Sequence, residues 1–217
     1  MQKIIVFLGP SLEQTAAEKI LTAHYRPPAR RGDLLAAVHE DATIIGLIDG
    51  VFHQESAVAH REILAAIKKG VRVVGSSSMG ALRAAEMDTL GMVGIGEIYR
   101  MYKSGELESD DEVALVFDPS SGISLSEPLI NIRFTLKRAM KDGIFDAAVH
   151  DVLLASACSL FYPKRTYRAI VSNAGDAIDE KTRERFLHWV DINACDQKRR
   201  DAVAALEYIR EIAVETL

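Results

Sequence analysis

Short unbroken apolar runs alternate with amphipathic stretches along the first ninety residues. KIIVFL (3–8), TIIGLID (43–49) and VRVVG (71–75) are continuous and rich in β-branched residues. Such runs predict strands buried on both faces, the mark of a parallel sheet covered by helices. The stretches between them carry apolar residues at helical spacing. Ser11 with Gln14 three residues on has the form of a capping box for a helix over 12–22. Residues 26–32 read as a loop, and Asp33 as the cap of a short helix over 34–39. A helix over 56–69 ends at Gly70, and SSSMGALRAAEM runs from the third strand straight into another. The expected fold is therefore α/β, a mainly parallel sheet flanked by helices.

The pattern changes after residue 95. Residues 95–104 read as a helix with Ile95, Ile98, Tyr99 and Tyr102 on one face, 106–112 as an acidic turn, and 112–117 (EVALVF) as a fourth strand. DPSSGISLSEP reads as a loop, and residues 129–141, 146–161 and 178–216 as helices. This predicts an α/β core over 1–160 and a helical C-terminal extension over 161–217.

Composition narrows the function. The 217 residues are 48% hydrophobic and 26% charged, which excludes a disordered chain. A net charge of −5 argues against nucleic acid as a partner. The first apolar run is six residues long and stops at Gly9-Pro10, too short for a secretory signal core of about 7–15 residues. No run approaches the roughly 20 residues of a membrane helix. A cytoplasmic location with no membrane contact is expected. Two cysteines supply neither a disulfide framework nor a four-thiolate zinc site. Both lie in helical stretches without ligand spacing, as buried small hydrophobes would, and neither a metal nor a cofactor is expected.

In a parallel sheet, ligands bind beyond the carboxyl ends of the strands. Three such ends carry special residues: Gly9-Pro10-Ser11, Asp49-Gly50 and Gly75-Ser76-Ser77-Ser78. A serine between strand and helix lies at the positive end of a helix dipole. There the free amides of Met79 and Gly80 are candidate oxyanion donors. The segment partly matches the Gly-x-Ser-x-Gly turn of serine hydrolases. With Ser78 as nucleophile Gly80 fits but Ser76 replaces the first glycine; with Ser77, Gly75 fits but Met79 replaces the second. A plain serine cap of the helix is the competing reading.

A nucleophilic serine needs a base. His60 shares a helix face with Ile63, Leu64 and Ile67, which also suits a core histidine. Among ten lysines, Lys68 and Lys69 precede the third strand and lie roughly 15 Å from its far end. Lys103, beside Tyr102 on the edge of an apolar helix face, is the better candidate, although a surface lysine ending its helix has the same pattern. Asp49 would orient the base or cap the next turn, and Arg83 and Glu86 are spaced to pair.

The stretch from Gly46 to Val116 resembles the TfuA-like family. The residues that carry it are LIDGVF (47–52), AVAHREIL (57–64), GSSSMGALRAAEM (75–87), GMVGIGEIY (91–99) and DDEVAL (110–115), with GPSL (9–12) and RPP (26–28) upstream. The blocks look closest to archaeal methanogen members. The resemblance implies work beside a YcaO enzyme, which activates a peptide amide with ATP so that sulfur replaces its oxygen. It further implies hydrolysis of the C-terminal thiocarboxylate of a ThiS-like sulfur carrier by a Ser–Lys pair, with a glycine of methyl-coenzyme M reductase as the peptide modified. Ser78 is then the nucleophile, Lys103 the base and Met79 and Gly80 the oxyanion donors, with Ser11, Asp49, Gly50, His60, Ser77 and Arg83 lining the site. Many members have lysine where this chain has Arg61, and arginine cannot act as a base near neutral pH. The alternatives are a non-catalytic adaptor that raises YcaO affinity for its peptide, or a nucleotide- or phosphate-binding domain.

Overall fold

A computed structural model describes residues 2–52, 56–118 and 123–214. Part of the loop expected after residue 117 and the last residues of the helix expected over 178–216 lie outside the described residues. Two compact units emerge, one of residues 1–110 with 198–217, the other of 111–197. The boundary expected at 160 falls inside the second.

The first unit holds five parallel strands: β1 (Ile4–Phe7), β2 (His24–Arg26), β3 (Ile44–Leu47), β4 (Arg72–Ser76) and β5 (Val93–Ile95). Their order is β2-β1-β3-β4-β5, and every pairing is parallel. The helices are α1 (Gln14–Ala17), α2 (Asp33–His39), α3 (His60–Lys68), α4 (Met79–Met87) and α5 (Glu97–Ser104). The expected α/β class is what the chain adopts.

Both faces of the sheet are covered, which explains why its central strands read as unbroken apolar runs. Ile5, Phe7, Ile45, Leu47 and Val73 pack with residues of α2, α3 and α4. Ile4, Val6, Ile44 and Val74 pack on the opposite face with α1 and with Ala202, Ala205, Leu206 and Ile209. Those four lie on the last helix, so the chain's end returns to complete the core that its beginning starts.

Several expectations are corrected, among them that Ile95 begins the helix over 95–104, since it ends β5 instead. The helix over 12–22 shrinks to the four residues of α1; it starts at Gln14, with Glu13 in the cap position, and Ser11 gives its side chain to Asp49 rather than to a cap. EVALVF forms no strand: Val113 and Ala114 are buried, but the segment makes only an isolated antiparallel bridge between Phe117 and Ser124. The edge strands of the sheet are instead β2 and β5, each three residues long.

The second unit contains α6 (Leu129–Lys141), α7 (Ala147–Ser159), α8 (Tyr167–Ala174) and α9 (Glu180–Asn193), packed around Ile132, Leu136, Leu153, Ile170 and Phe186. The helix expected from 178 to 216 is two, α9 and α10 (Gln197–Val214). Arg165, buried, donates to the carbonyls of Ala157 and Asp111 and pairs with the Asp111 carboxylate. Cys195 is buried, but Cys158 is exposed and has the Arg133 guanidinium 4.0 Å from its sulfur, contrary to the expectation that both are buried.

Candidate active site

The strand order changes direction between β1 and β3, and the crevice at such a switch point is where doubly wound sheets bind ligands. The residues following β1, β3 and β4 meet there. Asp49 anchors them. Its Oδ2 accepts the amides of Gly9 (2.9 Å) and Ser11 (3.1 Å), and its Oδ1 accepts the Ser11 hydroxyl (2.7 Å). The Ser77 Oγ lies 2.9 Å from both the Ser11 Oγ and the carbonyl oxygen of Lys198, two acceptors between which its one proton is shared. Ser11, Asp49 and Ser77 are all buried.

The chain turns sharply from β4 into α4. Ser77 has φ +64°, a left-handed conformation rare for a residue with a side chain. The Ser78 amide donates to the Ser76 carbonyl at 2.7 Å, closing a three-residue γ-turn in its strained form. Strain of this kind costs roughly 1–3 kcal/mol and persists only where surrounding contacts over-determine it. Here the hydroxyls on both sides of the strained peptide are tied down. Ser77 is held as above, and Ser76 Oγ reaches the carbonyls of Ile95 (2.8 Å) and Asp201 (2.9 Å).

Ser78 is different. It occupies the N-cap position of α4, where a serine hydroxyl ordinarily accepts a hydrogen bond from the first turn, yet it makes no such bond. Its hydroxyl has no hydrogen bond among the described residues. Forgoing the cap costs about 1 kcal/mol. Of the two amides expected to stabilise an oxyanion, only Met79 is suited. The Gly80 amide donates to the Ile48 carbonyl at 3.3 Å, so it is already engaged. Gly80 serves packing instead, since a Cβ there would fall 1.7 Å from the Leu47 carbonyl oxygen. Gly50 abuts the Met79 side chain in the same way, with 3.0 Å between an added Cβ and Met79 Cγ.

Three of the expected residues are elsewhere. Lys103 pairs with Asp88 at 2.7 Å, and Asp88 follows the last residue of the helix that Ser78 begins. Ten steps of about 1.5 Å separate Ser78 from Asp88 by roughly 15 Å along the helix. Lys103 and Tyr99 together hold the Asp88 carboxyl below its usual range. His60 is exposed and bonds Glu86 at 2.7 Å, two turns along α4, and Arg83 binds the same Glu86 and the Val58 carbonyl. The structure does not bring His60, Arg83 or Lys103 to the serine turn. It brings Lys198 there, by its carbonyl, from the first turn of α10; the residue is only 2% exposed. Asp201, one turn on, also accepts the Ile98 amide at 2.7 Å and so caps α5. Nothing in the local sequence marks Lys198, because its contact with Ser77 spans 121 residues.

A model of the family described as TfuA-like protein matches residues 49–166, which include the whole serine turn and α4. The chain belongs to the TfuA-like family. That family is associated with YcaO-type thioamidation. A comparison with curated proteins found no match. The TfuA-like match covers Asp49, Ser77, Ser78 and Met79, while Ser11 and Lys198 lie outside it. Among the described residues, no three His, Cys, Asp or Glu side chains cluster to hold a metal ion, and no helix is long and apolar enough to cross a membrane.

Proposed function

We propose that this TfuA-like chain supplies sulfur to a YcaO enzyme by hydrolysing the C-terminal thiocarboxylate of a ThiS-like carrier protein. The observation that carries the reading is Ser78: a serine directly after the strained residue of the strand-to-helix turn, beside the sheet's switch point, whose hydroxyl is withheld from the cap it would ordinarily make. In hydrolases with this turn, the amide after the nucleophile stabilises the oxyanion. Here that amide belongs to Met79, at the positive end of α4, which also favours an anionic substrate.

The Ser78 oxygen bonds to the thiocarboxylate carbon as a base takes the hydroxyl proton and the carbonyl electrons move onto oxygen beside the Met79 amide. Collapse breaks the carbon–sulfur bond, and the sulfur leaves as hydrosulfide (HS−), carrying that one proton. Water then hydrolyses the acyl-serine to give the carrier carboxylate. Lys103 is paired with Asp88, which follows the last residue of the helix that Ser78 begins. Lysine bases are those withdrawn from water, and Lys198 is the buried lysine whose main chain contacts the turn. We assign the lysine of the pair to it. The resemblance to methanogen members makes a glycine of methyl-coenzyme M reductase the peptide that would receive the sulfur.

Reconstitution tests the reading. A thiocarboxylated carrier, a YcaO enzyme, ATP and a peptide should yield thioamide and free sulfide only when this chain is present. Thioamide formation from added inorganic sulfide should then not require it. If the chain raises peptide affinity for the YcaO enzyme while the carrier stays thiocarboxylated, it is an adaptor and the hydrolase reading fails.

A further inference from the structure

The hydrogen bonds around Ser77 run in one direction. Asp49 Oδ1 takes the Ser11 hydroxyl at 2.7 Å, which leaves the Ser11 oxygen to face the Ser77 hydroxyl at 2.9 Å. Asp49 Oδ2 meanwhile fixes the backbone on which Ser11 sits, through the amides of Gly9 and Ser11. A buried carboxylate with three donors thus ties the end of β3 to the end of β1, and Ser11 ties both to the turn after β4. The residue at the end of this chain, Ser77, is the one with the unfavourable φ of +64°. The next residue, Ser78, is the one denied its cap.

We propose that Asp49 and Ser11 are positioning residues that hold Ser77 in the strained turn and so keep the Ser78 hydroxyl, itself buried, out of the helix cap and uncommitted to its own helix. Without them the turn has a better alternative. Ser77 relaxes to a negative φ, and the Ser78 hydroxyl accepts an amide of the first turn of α4, as serines at that position do. Capped in this way it is aimed at its own helix rather than at a substrate. The proposal rests on the hydrolase reading only in its kinetic consequence; the conformational consequence stands apart from it.

The conformational test is a crystal structure of Ser11→Ala. The expected result is a negative φ at residue 77 and a hydrogen bond from a first-turn amide of α4 to Ser78 Oγ. A structure with φ at 77 still near +64° and Ser78 uncapped overturns the proposal, whatever the protein's activity. Should Ser11→Ala fail to fold, Asp49→Asn serves, since it keeps the acceptor for one amide while weakening the hold on Ser11.

The kinetic test uses sulfide release from the thiocarboxylated carrier. Ser11→Ala should lower kcat by about 10- to 100-fold, the cost of a misplaced reacting group, with KM unchanged and the melting temperature not lowered in proportion. Ser11→Thr, which keeps the hydroxyl, should restore kcat. So should Ser77→Gly in the Ser11→Ala background, because glycine adopts positive φ without being held there. Wild-type kcat in Ser11→Ala, or a double variant no faster than Ser11→Ala alone, overturns the proposal while leaving the hydrolase reading intact. Absence of sulfide release by the wild type overturns the hydrolase reading and leaves the conformational test to decide this one.

Discussion

Gly80→Ala puts one methyl group where β3 and α4 touch. The added Cβ would lie 1.7 Å from the Leu47 carbonyl oxygen and 2.6 Å from its carbon, against an ordinary contact of 3.4 Å or more. Both partners are backbone, so no side chain can swing aside and the helix must move off the strand by about 1.7 Å. That movement breaks the bond from the Gly80 amide to the Ile48 carbonyl and loosens Ala84 within its apolar cluster. Overpacking of this kind costs about 1–3 kcal/mol, and the lost hydrogen bond about 1 more. At about 2–4 °C per kcal/mol for a chain of this size, the melting temperature should fall by roughly 5–15 °C. Because Ser78 and Met79 begin the displaced helix, sulfide release should drop by about 100-fold even in the fraction that remains folded. Calorimetry and a single-turnover sulfide assay at about 20 °C, below the expected loss of structure, measure the two effects. Gly32→Ala is the control: its added carbon meets nothing within 4 Å, so only its positive φ is strained. A Gly80→Ala variant with wild-type melting temperature and activity would refute the packing of α4 on β3 and the site built on it.

Other consequences follow from particular side chains. Lys103→Met should leave sulfide release within about threefold of wild type, since its ammonium is committed to Asp88 beyond hydrogen-bond reach of the turn. Arg165→Leu should destabilise the second unit by about 3 kcal/mol or more, because it removes a buried guanidinium that satisfies two carbonyls and the Asp111 carboxylate; urea unfolding would show it. Burial, aided by the negative charge of Asp196, holds the Glu127 carboxyl above its usual 4.5. The folded state therefore holds that proton more tightly than the unfolded chain. Its stabilisation is full below pH 4.5 and is lost as pH rises through the folded value. Glu127→Gln should accordingly raise the melting temperature at about pH 7 and leave it unchanged at about pH 4.

The centre of the fold is legible in the sequence because β1, β3 and β4 are buried on both faces, and such strands must be continuous apolar runs. The edge strands are not. His24-Tyr25-Arg26 pairs on one side only and is partly exposed, and Val93-Gly94-Ile95 is interrupted by a glycine. EVALVF misleads for the opposite reason: Val113 and Ala114 are buried without a strand to pair with. At the site, Ser11, Asp49 and the serine turn can be found from the sequence because parallel strands deliver their carboxyl ends to one edge. Lys103 stands out on its own helix, but local spacing cannot show that Asp88 claims it. Lys198 escapes sequence reasoning because only the return of α10 to the sheet brings it near.

The role of Ser78 is the claim on which the rest depends. It is tested most directly by following sulfide release from a thiocarboxylated ThiS-like carrier with wild-type protein and with Ser78→Ala. The wild type should turn over many equivalents of carrier, and the variant should be slower by about 1,000-fold or more while melting at the same temperature. Wild-type release by Ser78→Ala would contradict the account.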